Sequence, residues 1–145
     1  MIFPITKLLD DQSSVIWLLR HLHPKGLHCP TCQASLKRAR KFRTAQRTCL
    51  TDYRCNDCGT VYNLYTDTVF AHKQLRPQQA VMLLRGICKG EPSTTLAEEN
   101  DVSWRTVHEL RRVLQHNCYQ MLPQTPLADH VTETDELFQN AGEKR

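Results

Sequence analysis

Cys29-Pro30-Thr31-Cys32, then twenty-two residues (33 to 54), then Cys55-Asn56-Asp57-Cys58-Gly59: this spacing governs the reading of the fold. Two residues between thiolates let both sulfurs of one tight turn reach a single tetrahedral ion at about 2.3 Å. A second such turn, returned by a hairpin, completes a closed shell of four sulfurs. Closed shells are structural, because no position is left for water or substrate. The pattern therefore predicts a zinc ribbon with structural Zn2+ held by Cys29, Cys32, Cys55 and Cys58. Gly59 suits the place after the second ligand, where positive φ is needed, and Gln33 at the equivalent place of the first turn suits it less. A redox-active pair needs a βαβ setting that this sequence lacks. His28, next to Cys29, is a substitute ligand on paper and reads better as a surface histidine. Cys49, Cys88 and Cys118 have no partner at ligand spacing, and the last two read as small core or surface residues on helices.

The bulk numbers agree with a stapled fold. Hydrophobic residues make up 40% of the 145, and aromatics 7%, enough for modest cores only. Cores of that size commonly need a metal or disulfides. Met1–Lys7 is apolar but short, and Asp10 and Asp11 follow it, so no secretory segment is read there. No apolar run is long enough to span a bilayer. The expectation is a cytoplasmic protein without membrane association, whose seven cysteines stay reduced. The net charge of +4 is uneven. Residues 24–75 hold nine Lys and Arg against three Asp and Glu, or +6, whereas residues 123–145 hold two against five, or −3. A basic middle suits a polyanion partner.

Around the ribbon, four blocks emerge: an N-terminal helix within 1–24, the ribbon over 25–75, helices over 76–122, and a linker with one further strand start over 123–145. Asp10–Ser14 start the first helix, Val15, Ile16, Leu18, Leu19 and Leu22 form its apolar face, and Pro24 follows its end. Tyr53, Val61, Tyr62, Leu64, Tyr65, Val69 and Phe70 read as short strand material. The fold class is thus α+β, a small zinc ribbon followed by a three-helix unit, with an irregular C-terminal tail. Between the cysteine pairs lie Lys37, Arg38, Arg40 and Lys41, placed on a hairpin arm to neutralise phosphates.

Residues 93–114 carry a helix-turn-helix pattern. Ser93 caps a short helix bearing Leu96 and the small Ala97, Asn100-Asp101 supplies the turn, and Val102 anchors it. Ser103 caps a second helix whose inward face is Val107, Leu110 and Leu114. At 100° per residue, the opposite side carries Arg105, His108, Glu109 and Arg112. Ser103, Arg105, His108 and Arg112 are therefore candidates to contact double-stranded DNA if this helix enters the major groove. Trp104 and Arg111 sit on the flank. The preceding helix, from about Pro77 to Lys89, offers Ala80, Val81, Leu83, Leu84, Ile87 and Cys88 to complete the unit.

Leu22-His23-Pro24-Lys25-Gly26 before the first knuckle, Tyr53-Arg54 before the second, and Thr66-Asp67-Thr68-Val69-Phe70 after it give the chain a wider likeness. It resembles the front part of bacterial insertion-sequence transposases that join an N-terminal zinc ribbon to a DDE catalytic domain of the ribonuclease-H-like kind. Val131-Thr132-Glu133-Thr134-Asp135-Glu136 is similar to the strand that presents the family's first catalytic aspartate, which makes Asp135 its counterpart. Gln33, Asp67 and Asp101 stand where the family has glycine, which questions the local loop geometry. The resemblance implies recognition of transposon terminal repeats. DDE chemistry needs three carboxylates around two divalent ions such as Mg2+. Ten residues follow Asp135, so that site is not expected to act in this chain, and residues 123–145 are expected to be poorly ordered. Full-length transposase, or the product of a second reading frame, is the protein partner this implies. The alternative is a stand-alone regulator or adaptor built from the same two DNA-binding modules.

Overall fold

Asp10 accepts a hydrogen bond from the Ser13 amide at 2.8 Å and so starts α1 (Asp11–Leu22) by satisfying one of its free N–H groups. The computed structural model describes residues 10–122, and its elements follow in the order α1, β1 (Ala39–Thr44), β2 (Thr51–Cys55), β3 (Val61–Tyr62), α2 (Pro77–Cys88), α3 (Ser93–Glu99) and α4 (Trp104–Met121). The result is a mixed α+β architecture of four helices and one antiparallel sheet ordered β1-β2-β3. A single 3-10 turn, Leu36–Arg38, leads into β1. No described helix is long and apolar enough to cross a membrane. The linker, the strand start at Val131 and Asp135 lie outside the described residues.

Two cores hold these elements. The larger buries fifteen residues drawn from all four helices, from Leu50, and from the segment Leu64–Leu75. The smaller buries Leu27, Cys29, Cys55 and Tyr62, with Ala34, Leu36, Ala39 and Tyr53 around them. Leu19 of α1 touches both. On α1 the inward face is rotated from the expected one: Ser14, Trp17 and Leu18 are buried, while Ile16 is 56% exposed.

Leu64, Tyr65, Val69 and Phe70 are not strand residues. They sit in successive turns closed by Thr66 N–H to Asn63 O, Thr68 N–H to Tyr65 O and Ala71 N–H to Thr68 O at 3.0–3.1 Å. The Thr66 and Thr68 hydroxyls accept further amides, from Asn63 at 3.0 Å and Phe70 at 3.2 Å. Threonine side chains thereby do what a neighbouring strand would do, and Leu64, Tyr65 and Phe70 are buried against the helices.

Pro77 at the first turn and the Gln79 side chain, which accepts the Arg76 amide at 2.9 Å, start α2. α2 then packs against α1 and α3, and α3 against α4. Gly86 is what lets α3 approach: a Cβ there would lie 2.1 Å from Leu96 Cδ2 and 2.6 Å from Glu91 Oε2. Cys88, expected to complete the helical unit, is exposed instead. Pro92 rather than Ser93 precedes the first turn of α3, and the Ser93 hydroxyl accepts from Arg111 Nε at 3.1 Å.

Candidate metal centre and basic surfaces

The two cysteine turns are built alike. Gln33 N–H donates to Cys29 O at 3.0 Å and Cys29 N–H to Ala34 O at 2.9 Å; Gly59 N–H donates to Cys55 O at 3.1 Å and Cys55 N–H to Thr60 O at 2.9 Å. Each turn needs one left-handed residue four places after its first cysteine, and Gln33 (φ 59°) and Gly59 (φ 75°) supply it. The three residues standing where the resembled family has glycine, Gln33, Asp67 (φ 58°) and Asp101 (φ 50°), all take the left-handed conformation, so loop geometry survives their side chains. The β1–β2 connection repeats the arrangement over Ala45–Leu50, with Cys49 (φ 56°) in the left-handed place and no second thiol facing it.

The β1–β2 hairpin brings the two cysteine turns together, and a Thr31–Thr60 hydroxyl contact of 3.0 Å closes their outer side. Cys29, Cys32, Cys55 and Cys58 then place all four sulfurs within 4.8 Å of one another. Cys29–Cys58 and Cys32–Cys55 approach to 3.4 and 3.5 Å. Those distances exceed any disulfide and approach the edge of about 3.8 Å for a tetrahedron with 2.3 Å metal–sulfur bonds. Cys29 and Cys55 are buried, and Cys32 and Cys58 are exposed.

The thiols differ in acidity. The hydroxyl of Thr60, 3.2 Å from Cys58 Sγ, and the Thr60 amide favour the Cys58 thiolate and lower its pKa to about 6. The Ala34 amide favours the Cys32 thiolate, but the neighbouring thiols and desolvation outweigh it and raise Cys32 to about 12. Four sulfurs this close share protons until a cation displaces them, which is the chemistry of a metal site. His28 takes no part: its Nδ1 lies 2.8 Å from Gly26 O.

Lys37 and Arg38 fall on the 3-10 turn, Arg40 and Lys41 on β1, and all four are exposed. Arg38 is tied to Asp57 at 2.7 Å. A register shift between Lys41 and Arg43 leaves Phe42 without a cross-strand partner and 48% exposed. Arg40 pairs directly with Arg54, and Arg43 with Asp52, the latter as a 2.7 Å ion pair.

α3 and α4 are joined by a short turn with Asp101 left-handed and the Val102 amide on Ala97 O at 3.0 Å. Ser103 caps α4 by accepting the Thr106 amide at 3.2 Å. Val107 and Leu110 are fully buried and Leu114 partly so, as the periodicity demands. Arg105, His108 and Arg112 face solvent. Arg105 is paired with Glu109 at 3.1 Å, and Lys73 reaches the same carboxylate at 2.6 Å. Hydrogen bonds from Lys73 and Arg105 hold Glu109 below the usual carboxylate range. Trp104 stacks on His108 with centroids 4.8 Å apart. Arg111 bonds Ser93 and the Glu91 carbonyl, binding α4 to the start of α3.

Lys73 and His116, which with Glu109 and Arg112 line one shallow depression, escaped the sequence reading. Lys73 lies 36 residues before Glu109, and no periodicity links them. A polar trough shares Arg47, His72, Lys73 and Gln74 along its length and runs from Arg43 of the hairpin to Ser103 and Thr106 at the start of α4.

Among known proteins, the chain is similar to an uncharacterized protein in transposable element ISH50 of Halobacterium salinarum, 29% identical over 143 residues. The match covers 97% of this chain and 46% of that protein, so the chain spans about half the length of the curated relative it matches. It is therefore related to an insertion-sequence protein. No protein-family model matches the chain. No solved structure matches it.

Proposed function

We propose that this chain is the DNA-docking portion of an insertion-sequence transposase, with a structural zinc ribbon and a helix-turn-helix that recognise the element's terminal repeats. The observation that carries the reading is the solvent-facing stripe of Arg105, His108 and Arg112 on a helix whose other side is anchored by Val107 and Leu110. The relative's being a protein in a transposable element supports it.

In this reading Cys29, Cys32, Cys55 and Cys58 hold Zn2+, which crosslinks the ribbon and supplies no catalysis. Lys37, Arg40 and Lys41 meet phosphates, with Arg38 sharing its charge with Asp57. Ser103 at the cap of α4, with His108 and Arg112 on α4, addresses the major groove. Arg105 takes part only by leaving or sharing its ion pair with Glu109, so Arg112 contributes more. Strand transfer belongs to a complete DDE domain with Mg2+, in which Asp135 is the family-matched first aspartate. Full-length transposase, or a second reading-frame product, is the proposed protein partner.

A gel-shift titration tests this. The zinc-loaded chain binds the terminal repeats in preference to random duplex, and Arg112→Ala weakens binding more than Arg105→Ala. Affinity falls steeply with salt, and removing one phosphate-contacting lysine lowers the log–log slope by about one. Equal affinity for repeats and random duplex overturns the recognition of ends.

A further inference from the structure

The ribbon's outward sheet face holds an aromatic side chain that neither core nor hydrogen bonding accounts for. Phe42 sits at the bulge of β1, unpaired across the hairpin and 48% exposed. Bulges re-aim a side chain away from the regular pleat. The guanidinium carbons of Arg43 and Arg54 lie 5.8 and 5.9 Å from its ring centroid. Arg40 stands directly opposite Arg54, a like-charge pair that costs stability across a ladder. The one acidic residue within the three strands, Asp52, is already held by Arg43 at 2.7 Å and Asn63 at 2.8 Å.

A flat ring flanked by Arg43, which is ion-paired with Asp52, and by Arg54, with Arg40 opposite Arg54, matches a nucleotide that offers a base face and its adjacent phosphates. Duplex DNA hides base faces inside its stack; an unpaired strand presents them. Base–aromatic stacking tolerates any sequence, because every base has a π-face, and the flanking arginines add cation–π and phosphate attraction.

We propose that Phe42 is a base-stacking residue, and that the sheet face bearing Arg40, Phe42 and Arg54 binds an unpaired DNA strand. This rests on the DNA-docking reading and assigns the two basic surfaces different forms of DNA: unpaired strand to the ribbon, duplex to α4.

The test is fluorescence anisotropy of the full zinc-loaded chain, with a labelled mixed-sequence single strand and the duplex of equal length. The readout is the ratio of single-strand to duplex affinity. Phe42→Ala and Phe42→Leu lower that ratio by about ten- to hundredfold, Phe42→Trp retains it, and Arg112→Ala raises it. Unchanged zinc content confirms that each variant is folded. The same ratio in the parent and in Phe42→Ala overturns the stacking role while leaving duplex docking intact. A Phe42-dependent ratio without preference for the terminal repeats overturns end recognition and keeps the stacking role. Absence of binding to either form overturns both.

Discussion

Around Cys29 and Cys55 the buried set numbers four residues, two of them cysteines, whereas the helices and the Leu64–Leu75 segment bury fifteen residues together. The contrast is one of sufficiency. Fifteen buried side chains, all but Ala80 and Ala97 large and worth roughly 1.5–3 kcal/mol each, offset the ordering of several short elements. Four cannot do so for a three-stranded sheet and three tight turns. A metal held by the four clustered sulfurs would bring to the small core what packing brings to the large one.

The largest effect expected is therefore metal removal. With zinc as the proposed ion, chelation should abolish amide protection over roughly residues 27–62, while α1–α4 and Leu64–Leu75 keep theirs; hydrogen exchange reads this directly. Cooperative loss of the helices would break the contrast. Acid should act in the same direction as chelator, because protons compete with the metal for thiolates, so metal retention rises with pH.

Next comes Phe70→Ala. It lies within residues 25–75, the block that the sequence assigns to the ribbon, yet it is fully buried in the larger core. We expect a loss of about 3–5 kcal/mol in chemical denaturation, with metal affinity essentially retained. Weakened metal binding without loss of helical stability would reassign the segment to the ribbon.

Gly86→Ala should cost about 1–3 kcal/mol by overpacking α2 against Leu96, and in a double-mutant cycle the double variant with Leu96→Ala should lose less than the sum of the two single losses. The smallest effect is Ser103→Ala, about 1 kcal/mol from the lost cap of α4, read as a lower thermal midpoint. Terminal-repeat affinity should fall alongside if the start of α4 meets DNA.

What could be read from the residues depended on how local the signal was. CxxC spacing, the Asp10 and Ser103 caps, and the Val107–Leu110 periodicity are decided within a turn or two. The four cysteines, the Ser103 cap and that periodicity are legible in the sequence, which marks the start of α1 only as Asp10–Ser14. Ile16 and Trp17 exchanged places because a helical pattern states only that one face is apolar, and the partner decides where that face lies. Tyr65 and Phe70 look like strand residues by composition, and threonine hydroxyls bonding the backbone made turns of them.

The candidate surfaces divide in the same way. Arg105, His108 and Arg112 share a stripe by helical period alone. Arg105's attachment to Glu109, Lys73's arrival at the same carboxylate, and the bulge that turns Phe42 outward required long-range pairing. The sequence by itself determined the four-cysteine set, the helical hairpin and the left-handed demand on its turns. Tertiary structure alone decided which apolar segments join which core and which cations stay free. Metal spacing and capping act between residues a few positions apart, whereas burial and ion pairing depend on what distant segments bring alongside.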